Sequence, residues 1–207
     1  MNRPVLALVL LAAFFAVNFG LRTWWHWRRT GSTGFRGISG RVGSAEWLGG
    51  VLFAVGLVLG VAAPVAELAD AVDPLIRTRP WWLDAVAGGL VALGIAGTSW
   101  AQAAMGSSWR IGVRQDERTE LVDRGPFCWV RNPIFTFMLL TAAGLALFLP
   151  NLLSLGAFVG LALAVELQVR FAEEPHLRRT HGDSYISYCR RVGRFLPGLG
   201  RERGGDG

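Results

Sequence analysis

Two polar blocks in an otherwise apolar chain hold the residue types that can do chemistry. One runs from Thr119 to Phe135 (TELVDRGPFCWVRNPIF), the other from Glu173 to Pro197 (EEPHLRRTHGDSYISYCRRVGRFLP). Between them lie two apolar runs, Pro133 to Leu149 and Leu152 to Val169, separated only by Pro150 and Asn151. So tight a turn implies an antiparallel helical hairpin, which brings both blocks to the same side of whatever it crosses. Arg131 and Asn132 at one foot can then meet Glu173 and Glu174 at the other.

Glu166, Arg170 and Glu173 are spaced by four and three, which at about 100° per residue puts them on one helix face, with Glu174 following. One reading is an interfacial salt-bridge ladder. The other is a carboxylate cluster that receives a cationic ligand, since an ionisable group just inside a membrane boundary normally faces the bundle interior or a wet cavity. Pro175 removes a backbone donor and is expected to bend or end the helix, leaving a carbonyl near Phe171 unpaired. On the first foot, Gly125-Pro126 marks a turn, Pro133 suits the first turn of a helix, and Asn132 stands in the capping position before it. Arg131 beside that helix start would also suit a ligand carboxylate. Tyr185 and Tyr188, three apart, are spaced to fold over such a pocket or to serve as amphipathic surface contacts.

The elements that position these blocks are membrane helices. The chain is 52% hydrophobic and 17% charged, with a mean hydropathy of +0.37, too apolar and too segmented for an ordinary soluble domain. Runs at Pro4 to Leu21, Trp47 to Ala66 and Ala85 to Ala104 join the two already named, each close to the roughly 17–25 residues that cross a hydrocarbon core. The expectation is an all-α membrane protein of five transmembrane helices, with a C-terminal hairpin and a cytoplasmic tail folding over a cofactor pocket. Residues 1–108 form a three-span scaffold, 109–197 the cofactor-binding region and 198–207 a disordered tail. Gly56 with Gly60 and Gly156 with Gly160 have the spacing that lets helices approach closely. Indoles at Trp24, Trp25, Trp27, Trp81 and Trp82 suit the headgroup layer.

The chain has no lysine, and 18 of its 21 arginines fall on one side of this arrangement. The positive-inside rule then puts the N-terminus outside and the C-terminus in the cytoplasm, in a bacterial cytoplasmic membrane. The net charge of +6 is thus mostly topological, and nucleic-acid binding is a poor reading of it, because acidic residues are interspersed and no single helix is basic. The first run has no small-x-small cleavage site and reads as an anchor. Cys128 and Cys189 fall on the reducing side without metal-ligand company, so both read as packing residues.

In order, the segments Leu121-Val122, Gly125-Pro126-Phe127, Arg131-Asn132-Pro133-Ile134-Phe135, Glu173-Glu174-Pro175-His176-Leu177, and Tyr185 with Tyr188 resemble the isoprenylcysteine carboxyl methyltransferase and phospholipid methyltransferase superfamily. The family pattern is Leu-Val, Gly-Pro-Tyr, Arg-His-Pro-x-Tyr, a hairpin, Glu-Glu-x-x-Leu and a Tyr-x-x-Tyr tail. The resemblance spans Trp109 to Pro197. It implies S-adenosyl-L-methionine as cofactor, held without a Rossmann domain, and no G-x-G-x-x-G occurs. By carry-over and from the first-foot reading, Val113, Thr119, Glu120, Leu121, Val122, Phe127, Arg131, Asn132, Pro133, Ile134, Phe135, Glu173, Glu174, Tyr185 and Tyr188 bind it, with Glu173 on its ammonium group. The family histidine is Asn132 here, and the pattern tyrosines are Phe127 and Phe135. Asparagine keeps a donor and an acceptor, and phenylalanine keeps a flat face for adenine.

The expected partner is a lipid or lipidated methyl acceptor within the membrane lipids. Carboxyl methylation is favoured, because a carboxylate is ionised at pH 7 and needs only an arginine to steer it, whereas an ammonium acceptor must first lose a proton. Arg110 and Arg170 are the catalytic candidates for that steering. Two rival readings stand beside this one. A steroid-type membrane reductase would bind NADPH, with Arg178, Arg179, Arg190 and Arg191 on its phosphates. A non-catalytic membrane scaffold would keep the hairpin without the chemistry.

Overall fold

The computed structural model describes residues 2–33, 37, 40–106 and 120–202. Five helices form the bundle: α1 (Arg3–Thr30), α2 (Ala45–Leu68), α3 (Trp81–Met105), α4 (Pro133–Phe148) and α5 (Leu152–His181). A short helix, α6 (Asp183–Arg191), closes the tail. Among the described residues strand pairing is confined to one isolated bridge, Val130 to Gly193.

Local sequence accounts for the helix ends. Pro4 sits in the first turn of α1, where its missing N–H costs nothing, and Gly31 stops the helix at φ 72°. Ser44 caps α2 by accepting from the Trp47 N–H at 3.2 Å. Asn151 and Ser154 form a reciprocal capping box at the start of α5. Pro175 does not end α5. The segment Val169–Glu173 widens into a π turn just before it, which takes up the clash that the proline ring would make with the Phe171 carbonyl, and the helix continues to His181.

Four helices, α1, α2, α3 and α5, are long and apolar enough to cross a membrane, and the chain is an integral multi-pass membrane protein. The expected fifth span is shorter. Helix α4 has 16 residues, roughly 24 Å at 1.5 Å per residue, against a hydrocarbon core of about 30 Å.

In the bundle α3 packs along α4 and α2 along α5, while α1 crosses α2 and reaches both α3 and α4. The tightest approach is at α3 and α4. A Cβ on Gly94 would meet Thr141 Oγ1 at 2.2 Å and one on Gly97 the Phe137 ring at 2.3 Å, so only glycine allows this spacing. Of the glycine pairs expected from spacing, Gly56 is closed off by Leu161 at 2.7 Å, whereas nothing lies within 4 Å of a Cβ on Gly60. The bundle is tied at the end away from the polar blocks by Arg3 on Asp84 at 2.9 Å and by Arg79, whose Nη1 donates to the Phe148 carbonyl at 3.0 Å.

Candidate functional site

At the opposite end the chain folds back on itself in two layers. A 3-10 turn, Gly125–Cys128, leads into the first foot, and the tail segment 193–195 runs beside it. The Arg131 N–H donates to the Gly193 carbonyl at 2.8 Å and the Asn132 N–H to the Arg194 carbonyl at 3.1 Å, while Thr136 Oγ1 donates to the Phe195 carbonyl at 2.9 Å. Asn132 does not cap α4 with its side chain. Its Nδ2 donates instead to the same Arg194 carbonyl at 3.2 Å.

Beneath this seam lies a buried charge cluster. Glu174, 6% exposed, takes Arg194 through two hydrogen bonds of 2.8 and 2.9 Å and Arg131 at 3.2 Å. Arg131 also donates to the Gly200 carbonyl at 2.9 Å and lies 3.9 Å from Glu202, which itself pairs with Arg178. The hydrogen bonds to Glu174 hold the Arg194 guanidinium above its ordinary pKa. Residues 198–202, expected in a disordered tail, are therefore part of the clamp. The buried Arg131 guanidinium thus stands between two carboxylates, with Nη1 turned toward Glu202 and the Cys189 thiol also within its field.

Helix α6 lies over the first foot. Tyr185, Tyr188, Cys189 and Val192 form a buried cluster with Leu121 and Leu177, and the Tyr188 hydroxyl donates to the Phe127 carbonyl at 2.7 Å. Burial pushes both tyrosine hydroxyls and the Cys189 thiol above their ordinary pKa. The tail tyrosines are thus folded inward over the polar blocks.

These layers border an open cavity of about 180 Å³. Of the residues expected to bind a cofactor, Glu120, Leu121, Val122, Phe127, Arg131, Asn132, Pro133, Ile134, Phe135, Glu173, Tyr185 and Tyr188 line it. Glu174 does not; it is the buried counter-ion of Arg131 and Arg194. Arg170 does not either, because the π turn breaks the face it was expected to share with Glu173. It pairs with Glu166, its side chain half exposed, while Glu173 lines the cavity. Arg110, Val113 and Thr119 lie outside the described residues.

Sequence reasoning missed Phe19, Phe53, Gln102, Met105, Met138, His176 and Leu177, all on the same wall. Four of the missed positions, Phe19, Phe53, Gln102 and Met105, lie within residues 1–108, so the region expected as scaffold supplies part of the site. Phe53 and Met138 have a second surface as well. They also line an almost wholly apolar space of about 70 Å³ between α1, α2, α4 and α5.

The fold is a bundle of apolar helices with its polar side chains gathered at one end, under the tail. Residues 82–184 match the family model of phospholipid methyltransferases. The match begins within α3, ahead of the motifs, and ends at Ser184, just before the tail tyrosines. Among solved structures the chain resembles the eukaryotic intramembrane Ras methyltransferase ICMT, isoprenylcysteine carboxyl methyltransferase. The likeness has a TM-score of 0.62 at 20% identity and covers 95% of this chain and 67% of that one. No curated protein matches the chain. Residues 82–184 thus carry the phospholipid methyltransferase pattern, and the chain as a whole shares its fold with that intramembrane methyltransferase.

Proposed function

We propose that this chain uses S-adenosylmethionine to methylate the carboxylate of a lipid or lipidated acceptor at a membrane surface. The observation that carries the reading is a wall shared by two spaces. Phe53 and Met138 line both the cavity between the hairpin feet and the tail, where Arg131 and Glu173 stand among mostly apolar neighbours, and the apolar interhelical space. Such an arrangement suits a reaction between a polar cofactor and a molecule whose headgroup is polar and whose chain is not.

The residues present fit this cofactor. Its carboxylate matches the Arg131 guanidinium on the cavity wall, its ammonium group matches Glu173, and its adenine matches the flat faces of Phe127 and Phe135. When bound, it supplies a methyl group already activated by a positive sulfonium sulfur. The protein then has to hold an acceptor in line and exclude water. Tyr185 and Tyr188 seal the tail side, and the Glu174 cluster fixes Arg131 from below. The arginines expected for NADPH phosphates, Arg178, Arg179, Arg190 and Arg191, are all exposed and none lines the cavity, which favours the methyltransferase reading over the reductase.

The same reading takes α4 as a fifth crossing, its short length accommodated by local thinning of the bilayer. The arginine distribution then leaves the N-terminus outside and the site on the cytoplasmic face of a bacterial membrane. Equilibrium binding of labelled S-adenosylmethionine and of NADPH to the detergent-solubilised protein is the test. Saturable binding of the first alone is expected; binding of NADPH instead moves the chain to the reductases, and binding of neither leaves a non-catalytic scaffold.

A further inference from the structure

Gln102 lies in α3, 2% exposed, on the wall of the site cavity. Its Nε2 donates to the Asn18 carbonyl at 3.0 Å. A carbonyl oxygen can only accept, so this bond fixes which end of the amide faces α1. The second N–H and Oε1 are what the side chain can offer the cavity it lines. Several other bonds hold this arrangement. Asn18 is fully buried in the π turn Ala16–Leu21 of α1, and its Oδ1 accepts from Ser99 Oγ of α3 at 2.8 Å. One turn on, Arg22 Nη2 donates to the carbonyls of Gln102 at 3.0 Å and Gly106 at 2.8 Å. Both the main chain and the side chain of Gln102 are therefore anchored to α1.

A carboxamide so placed is costly unless its polar groups find partners. Also on the cavity wall are Phe19, Phe53, Met105 and Met138, of which Phe53 and Met138 border the apolar space as well. The charged groups that suit the cofactor, Arg131 and Glu173, come from other elements, the hairpin feet. We propose that Gln102 is a specificity-determining residue for the acceptor, its free N–H donating to the carboxylate of a lipidated molecule whose chain lies beyond Phe53 and Met138. This rests on the methyltransferase reading above. In the transfer a carboxylate oxygen gains the methyl group and the sulfonium sulfur keeps the electron pair of the broken bond. No proton has to be removed, so a neutral amide donor suffices where an amine acceptor would require a base.

The test uses the full chain in detergent, N-acetyl-S-farnesylcysteine as the probe of a lipidated carboxylate, and the variants Gln102→Met and Gln102→Glu. Measured are the probe's Kd without cofactor, its KM and kcat with labelled cofactor, and the cofactor's own Kd. Losing a hydrogen bond to a charged group should raise the probe's Kd and KM about ten- to a hundredfold in Gln102→Met, with kcat little changed. Gln102→Glu should raise them further through like charge, and the cofactor's Kd should stay the same in both. Unchanged probe constants in Gln102→Met overturn the proposal. So does a loss of cofactor affinity in step with acceptor affinity, which would make Gln102 a purely structural brace. Tighter probe binding by Gln102→Glu also overturns it. A wild-type protein that binds cofactor but neither binds nor methylates the probe refutes this inference while leaving the methyltransferase reading; one that binds no cofactor refutes that reading itself.

Discussion

Asn132 and Asn151 stand in the same place relative to the two hairpin helices, each just ahead of the first turn, and they are used in opposite ways. Asn151, at the far turn, is fully buried and caps its own helix, with Oδ1 accepting from the Ser154 N–H at 2.9 Å and Nδ2 donating to Glu67 at 2.9 Å. Asn132, at the site end, caps nothing and spends its Nδ2 on the tail. At the far turn the amide oxygen completes the local helix cap while the nitrogen ties the turn to α2. At the site end the amide couples the first foot to the tail, and the first N–H groups of α4 are left uncapped beside the cavity.

The widest difference between the two ends should come from charge. Glu174→Gln leaves Arg131 and Arg194 without their buried counter-ion and should cost about 3–5 kcal/mol of stability, read as a drop in the denaturation midpoint and early proteolysis of the tail. Glu173→Gln, one residue earlier on the cavity wall, should instead weaken S-adenosylmethionine binding by about 1.5–3 kcal/mol with little change in stability. If calorimetry shows equal affinity, Glu173 does not hold the cofactor's ammonium group. The asparagines themselves sharpen the contrast further. Asn151→Ala should lose about 1–2 kcal/mol of stability and leave cofactor affinity alone, while Asn132→Ala should lose about 1 kcal/mol and weaken cofactor binding as well. Equal effects of both on binding would erase the distinction between the two ends.

The smallest expected effect is a pH effect. Tyr188→Phe removes the bond to the Phe127 carbonyl, worth about 1 kcal/mol. Burial raises the folded pKa of the Tyr188 hydroxyl above its unfolded value of about 10. Its stabilising contribution is therefore complete below pH of about 10 and is lost as pH rises beyond it, because only the unfolded chain ionises there. Denaturation midpoints at about pH 9 and pH 11 should fall less steeply with pH in Tyr188→Phe than in the wild type.

The apolar runs and the two-residue turn made the helices and the hairpin legible, and the ordered motifs placed twelve expected residues on one cavity wall. Where reading failed, the cause was geometry with no compositional mark. A π turn before Pro175 rotated Glu173 away from Arg170, and nothing in a 100° periodicity signals such a turn. Gln102 was passed over because a single amide in an apolar run gives no motif, although a lone polar residue at membrane depth was itself a signal. Gly94 and Gly97, spaced by three, were overlooked in favour of the fourfold glycine spacing. The close contact they make depends on Thr141 and Phe137 across the interface, which no single-helix pattern reveals.

The tail seam carries a consequence for variation. Arg131, Asn132 and Thr136 grip the tail through the carbonyls of Gly193, Arg194, Phe195 and Gly200. Main-chain oxygens are the same whatever side chains flank them, so much of this grip is blind to spelling. The sharpest limit is Gly193, where a Cβ would stand 2.1 Å from the Leu196 carbonyl. Around Gly193 and Arg194, whose guanidinium holds Glu174, the other positions of the segment can change while the same carbonyls stay on offer, so two relatives with partly dissimilar tails can share one lid.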